Sequence, residues 1–309
     1  MNRLFKLSAI FCCLSSAGIA YAGDAEPSGW SYNIGAMYEI ENVEGQGEDM
    51  DGLYEPSIYF NAAKDKWSIT VAMYQEGAVD YSEQTRGTYF NRPELNVRYQ
   101  LVDNDKYSVG LTGGVRNYGY HFEDSDGNKD GTANTVRYKF QPDWNVNINQ
   151  DWSFNGWLAL FKFHNDLDES GYSDSRVETE TGLKYKINDK ISLQTNYYLE
   201  RAYNSDSDRE NGEFSTQEMR IYLPIELDKN NTLTPYTRLT LDRWNNWDWQ
   251  TDGGDLEEHN NNRLGMLYAH SFSNGLSMTL EYAHEWQEHK ENGGDDKFHY
   301  AGVGVNYAF

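Results

Sequence analysis

HYAGVGVNYAF, residues 299–309, alternates residue by residue. His299, Ala301, Val303, Val305, Tyr307 and Phe309 share one face, and Tyr300, Gly302, Gly304 and Asn306 share the other. A period of two over that length specifies a β-strand whose two faces meet different environments. The other end of the chain carries a different signature. Arg3 and Lys6 precede an apolar stretch from Leu7 to Ile19, and Ala20-Tyr21-Ala22 follows. A charged region, an apolar core and an A-x-A site together predict a secretory signal peptide over residues 1–22, with Gly23 opening an exported domain over 23–309.

Past the leader, no apolar run approaches the roughly 18–20 residues of a membrane helix. Mean hydropathy is −0.82, yet aromatics make up 15% of the chain and Tyr alone accounts for 24 residues, which argues against disorder. A transmembrane β-barrel reconciles the two. Its polar lumen and apolar lipid face alternate along every strand, so mean hydropathy stays low in an embedded protein. The aromatic carboxy-terminal strand ending in Phe309 is the form in which bacterial outer-membrane barrels close, and Phe309 is the expected signal to the barrel-assembly machinery. Both cysteines, Cys12 and Cys13, lie in the leader, so disulfides and thiol catalysis are excluded from the exported domain. Ile10-Phe11 before them is not the small-residue context of a lipoprotein signal. Net charge is −23, and loss of Arg3 and Lys6 with the leader makes it −25. That balance argues against a nucleic-acid partner. It fits an acidic lumen or outer surface.

Short polar turns recur about every 40 residues, at 63–66, 103–106, 149–151, 188–190, 228–231 and 273–275. Between them stand long Gly/Asp/Asn-rich segments: 43–52, 78–87, 122–134, 164–175, 203–214, 245–261 and 289–297. These divide the chain into about 14 strands of membrane-crossing length, whereas a propeller would need four short strands in each period. The expected fold is all-β, an antiparallel up-and-down barrel with short periplasmic turns and long extracellular loops. Alternation supports it strand by strand. Met219, Ile221, Leu223, Ile225 and Leu227 oppose Glu218, Arg220, Tyr222 and Glu226, and Leu95, Val97, Tyr99 and Leu101 oppose Glu94, Asn96, Arg98 and Gln100. A soluble barrel of this size could not fill its interior with side chains, so the apolar face meets outer-membrane lipid and lipopolysaccharide and the charged face lines water. Trp30, Tyr107, Trp144, Trp152, Tyr185 and Tyr307 sit near strand ends, as an interfacial girdle would. Pro142 and Pro224 fall inside strands, each removing a ladder donor, and local bulges are expected there.

Parity places Arg92, Arg98, Arg116, Arg137, Arg176, Arg220, Arg238 and Arg263 on the pore lining, with Glu39, Glu41, Glu94, Glu178, Glu180, Glu218, Asp242, Glu281 and Glu285. A wide channel of mixed charge passes ions and small hydrophilic solutes with weak selectivity, and Arg with Tyr suits sugar hydroxyls. Most of these side chains are expected to pair across the wall. Catalysis finds little support. No G-x-S-x-G occurs, and His284 and His289 of HEWQEH fall on opposite strand faces, unlike a helical zinc motif. Residues 124–130, DSDGNKD, resemble a calcium loop but carry Lys129 where Gly is needed and no closing Glu. No cofactor or metal is expected. The competing class is a barrel enzyme, a phospholipase or protease using carboxylates and histidines at the rim.

Two histidines stand out. If 273–275 is a three-residue turn with Gly275 left-handed, Phe272 pairs Leu276 and the register sets His259 directly opposite His289. Neutral imidazoles can share a hydrogen bond at that spacing, while two imidazolium ions repel, with the switch in mild acid.

The segments NIGAMYEIENVEG (33–45), RNYGYH (116–121), RVETETGL (176–183), NGEFSTQE (211–218), TPYTR (234–238), NWDWQ (246–250) and DKFHYAGVGVNY (296–307) resemble the outer-membrane porin G (OmpG) family of Gram-negative bacteria, from about residue 30 onward. The resemblance implies a monomeric 14-stranded porin passing ions and mono-, di- and trisaccharides. It also implies a pH gate, in which the loop after NWDWQ folds over the pore in acid and His259 and His289 are the gating pair. The loop itself, TDGGDLEEHNNN, departs from the family pattern with the acids Asp252, Asp255, Glu257 and Glu258.

Overall fold

The structure is a computed structural model. It describes residues 29–44, 51–80, 85–123, 129–165, 174–203, 213–245, 257–289 and 296–309. Fifteen β-segments follow in chain order: β1 (Ser31–Glu44), β2 (Asp51–Lys64), β3 (Trp67–Asp80), β4 (Thr85–Asp103), β5 (Tyr107–Glu123), β6 (Lys129–Asn147), β7 (Trp152–Asn165), β8 (Ser175–Lys186), β9 (Ser192–Tyr203), β10 (Phe214–Tyr222), β11 (Ile225–Asp228), β12 (Asn231–Asn245), β13 (Glu257–Ser271), β14 (Leu276–His289) and β15 (Asp296–Ala308). Segments β10 and β11 are two halves of one crossing, both paired with β12, so the strands number 14. Each pairs antiparallel with its sequence neighbour, and β1 pairs with β15 to close the cylinder. Closure leaves no edge, so every strand finds hydrogen-bond partners on both sides, as hydrocarbon demands. Phe309 completes the seam. Its N–H and C=O bond Tyr32 at 3.0 and 3.2 Å, and its ring stacks on Tyr32 at 5.8 Å.

The six short turns lie where the sequence puts them. The turn after β13 has Gly275 at φ +85°, and Phe272 N–H bonds Leu276 C=O at 2.8 Å. In the turn after β8, Lys186 reaches Asp189 at 2.6 Å, and that ammonium holds the exposed carboxyl below the usual range. At the long-loop end the strands run further than alternation suggests. Strand β13 begins at Glu257 and β6 at Lys129, because the ladder continues through polar residues beyond the apolar band. Glu257 and Glu258 therefore belong to a strand, paired with Asn245 and Trp244, rather than to the loop. Asp252 and Asp255, and residues 124–128 of the calcium-like segment, lie outside the described residues.

The prolines correct a second expectation. Neither Pro142 nor Pro224 makes a bulge. Leu111↔Pro142 keeps the register of its neighbours, and Tyr222↔Tyr236 continues in step to Ile225↔Leu233 across Pro224. Each proline only withholds its missing donor, splitting one crossing into β10 and β11 in the second case. The bulges sit elsewhere, at Gln217/Glu218, Gly77/Val79 and Gln100/Val102 among others.

The two faces differ as alternation requires. Ile58, Tyr138, Leu241 and Leu264 are each more than half exposed on the outside. Trp30, Tyr107, Trp152 and Tyr307 are exposed near the short-turn rim, with Trp152 packed on Tyr185 at 4.6 Å. A barrel that exposes this apolar band outward and buries charge inward is in equilibrium with lipid, not with water.

Candidate functional site

The inner wall is a lattice of charge. Arg92, Arg137, Arg220, Arg238 and Arg263 are buried there, with Glu39, Glu41, Glu94, Glu178, Glu180, Glu218, Glu281 and Glu285. Arg98, Arg116 and Arg176 are half-buried among them. Most are neutralised by a neighbour on the same strand or one or two strands away. Arg220 bonds Glu180 at 2.7 Å and Glu218 at 2.8 Å, and Arg263 bonds Glu285 at 2.6 Å. Arg176 bonds Glu200 at 2.8 Å, Arg98 bonds Asp143 at 2.7 Å, and Arg92 is clamped between Glu55 and Glu76. Removing a partner from such a pair leaves an uncompensated charge, so the lattice fixes the wall's shape as well as its field.

Guanidinium planes also stack on aromatic faces. Arg220 lies 3.4 Å from the Tyr198 ring centroid, Arg137 4.6 Å from Phe161, and Arg263 4.9 Å from Tyr300. Tyrosine hydroxyls donate to the remaining carboxylates: Tyr300 to Glu39, Tyr236 to Glu281, and Tyr198 to Glu178 at 3.0 Å. Several long side chains lie flat across a glycine to reach the strand beyond it. Tyr59 crosses Gly35 to bond Asn306 at 3.1 Å, Tyr236 crosses Gly265, and Arg98 crosses Gly110 to Asp143. At each of these glycines a Cβ would collide with the crossing side chain.

Asp242 is a correction. Simple parity puts it in the lumen, but the bulge at Gln217/Glu218 leaves Leu241 unpaired and makes Asp242 the partner of Gln217. Gln217 bonds Asp242 at 3.0 Å on the outward face, and Arg243, paired with Thr216, takes the inward position. A bulge reverses parity for everything beyond it, and no residue pattern in WNN or LDRW announces it. Sequence reasoning also missed Glu55, Glu76 and Glu200 as carboxylate partners. Their inward parity, shared with Ser57, Tyr74 and Tyr198, was the available signal.

At the long-loop end, the β13–β14 ladder pairs His259 with His289 directly, in step with Arg263↔Glu285. His284 instead pairs with His299 on the outward face, their rings 5.1 Å apart. Among the described residues no group of three or more His, Cys, Asp or Glu side chains is arranged to hold a metal ion.

A closed 14-stranded antiparallel cylinder, apolar outside and charged inside, defines an outer-membrane β-barrel of a Gram-negative bacterium with its polar residues committed to a lumen. Comparison with known proteins narrows the class. The family model described as outer membrane protein G (OmpG) matches residues 27–307. "Outer membrane porin G" of Escherichia coli (strain K12) is 60% identical over 309 residues, covering 100% of both chains. The chain belongs to the OmpG porin family. Solved structures share the architecture alone. The CymD monoaromatic hydrocarbon channel superposes with a TM-score of 0.58 at 8% identity, over 90% of this chain and 88% of its own. The Pseudomonas putida toluene transporter TodX gives 0.53 at 8%, over 91% and 89%.

Proposed function

We propose that this porin is a monomeric passive channel for ions and small sugars, up to trisaccharides, closed in acid by its 246–256 segment. The observation that carries the pore reading is the inner wall, where charged and tyrosine side chains lie against the strands in cross-strand pairs. Water-filled lumens are lined this way, and mixed charge gives weak ion selectivity. The excess of acid, −23 over the whole chain, tilts the preference toward cations. Arginine forks and tyrosine faces suit passing sugar hydroxyls without a deep pocket to hold them. The outer band, continuous around the cylinder, fits contact with lipid and lipopolysaccharide rather than with further copies of the chain.

The acid gate rests on His259↔His289, a direct pair at the base of the 246–256 segment. Protonation of both in mild acid would push the two strand ends apart and release the segment toward the mouth. Its acids Asp252 and Asp255, with Glu257 and Glu258 at the strand start, lose charge in the same direction and weaken repulsion from the acidic lumen.

Planar-bilayer recording of the purified protein, with liposome swelling by mono-, di- and trisaccharides, tests the reading. Large, weakly cation-selective steps at neutral pH, long closures below about pH 6, and one chain per particle by native mass analysis are expected. A barrel without conductance at neutral pH, or one with lipase or protease activity instead, would end the porin reading.

A further inference from the structure

We infer that the lumen wall carries a docking station for a phosphate group, built by Arg116, Arg137 and Lys139 around Glu94. The inference rests on the channel reading above and adds a ligand class to it.

Elsewhere on the wall each arginine with an ion pair has its own carboxylate, and several have two. Here three cations converge on one. Arg116 of β5 pairs Glu94 closely, while Arg137 and Lys139 of β6 each approach the same carboxylate at 3.5 Å. Glu94 has a further donor in Asn96, at 2.6 Å. The four ionisable side chains sum to a formal +2. Register makes the crowding unavoidable, since Glu94, Arg116 and Arg137 stand in one cross-strand row. Two guanidinium groups therefore face each other directly, an arrangement that is unfavourable without a counter-charge between them. Among the described residues Glu94 is the carboxylate that Arg116 and Arg137 both meet at ion-pairing distance, and the buried Arg137 Nε has no hydrogen-bond partner. Arg137 is 7% exposed. The Phe161 ring covers one side of its guanidinium, and Tyr118 lies 5.8 Å from both arginines.

A dianion with three or more acceptor oxygens is what this arrangement lacks. Arg116 is engaged by Glu94, the adjacent Arg137 fork keeps its Nε unbonded beside that pair, and Lys139 adds a point charge next to them. A phosphate group matches both the formal +2 and the number of donors. A carboxylate matches neither. The group can arrive as inorganic phosphate or as the ester of a phosphorylated sugar, and the station holds the phosphate in either case. In a channel that favours cations, it would give phosphorylated solutes a foothold part-way along the wall.

The test is single-channel current at pH 8 in chloride, with inorganic phosphate, glucose 6-phosphate or glucose added at constant ionic strength. Phosphate and glucose 6-phosphate should produce concentration-dependent current reductions with similar constants, and glucose none. Arg137→Gln should weaken both constants about tenfold or more, the loss expected for one charge-assisted donor. Arg137→Lys, which keeps the charge and loses the fork, should fall between. Open conductance in chloride alone checks that each variant forms a pore, and its absence in the unaltered protein would strike the channel reading instead. An open pore whose current phosphate leaves unchanged would overturn the station. So would unchanged constants in conducting Arg137→Gln, or a response to glucose 6-phosphate without one to phosphate.

Discussion

Replacing His259 and His289 together by Ala removes the histidine pair that the β13–β14 ladder sets directly opposite. Directly opposed residues hold their Cβ atoms about 4.5–5.5 Å apart. Two imidazolium charges about 5 Å apart repel by about 3 kcal/mol at an effective dielectric near 20, and by about 1 kcal/mol in bulk water. A water-facing rim falls between those limits. If the repulsion is relieved when the strand ends part, the open–closed ratio changes about 5-fold at the low end and about 150-fold at the high end. The sign follows from the charge. Above the ordinary histidine pKa of about 6.5 the pair is neutral and the open state is favoured; below it the second proton brings the repulsion. Single-channel recording from pH 8 to pH 5 reads the closed fraction directly. The double variant should keep most of its open time at pH 5, with open conductance unchanged, and either single variant should show much the same loss of closure because one charge cannot repel itself. A double variant that closes in acid as the parent does would refute the pair as sensor and turn attention to Asp252, Asp255, Glu257 and Glu258.

Other expectations are local. Gly275→Ala places a Cβ 2.5 Å from the Ala308 carbonyl at φ +85°, so it should cost at least about 1–2 kcal/mol, read as a lower urea midpoint in detergent. Glu94→Gln frees Arg116, Arg137 and Lys139 from their shared carboxylate; reversal potentials should move toward anions, and stability should fall by less than the roughly 3–5 kcal/mol of a pair broken in a dry interior. Asp189, lowered by its hydrogen bond to Lys186, should titrate by NMR below the ordinary carboxylate range, and Lys186→Met should restore it. The small stabilisation from that contact is present at neutral pH and disappears as acid protonates the folded carboxyl.

Much of this molecule is legible in its sequence. Alternation in residues 299–309 and its counterparts gave the strands, because a membrane barrel must sort its side chains on a two-residue period. The hairpin arithmetic through Gly275 placed His259 opposite His289 because a short turn fixes register for the whole ladder. What stayed hidden is what alternation does not encode. The bulge opposite Gln217/Glu218 turns Asp242 outward and Arg243 inward, and its cause lies in the pairing, not in either strand's own pattern. Pro142 and Pro224 leave the register intact because losing one donor does not require an extra residue. The carboxylates Glu55 and Glu76 share inward parity with many polar neighbours, and only the fold brings both to Arg92. The long-loop ends of β6 and β13 look like loops in the sequence because polar residues extend the ladder without an apolar face to mark it.

The glycines beneath Tyr59, Tyr236 and Arg98 carry a consequence for the bore. Strand number fixes the circumference of the backbone, so the clearance left for a solute depends on how thick the side-chain lining is. Where Gly35, Gly265 and Gly110 stand, a long side chain can recline against bare backbone, and the lining there is about one ring or one guanidinium plane deep. An alanine at any of these sites would prop that side chain up into the passage. The aperture of this porin is therefore set partly by residues that never touch the solute: the missing methyl groups behind the lining govern what size of molecule passes.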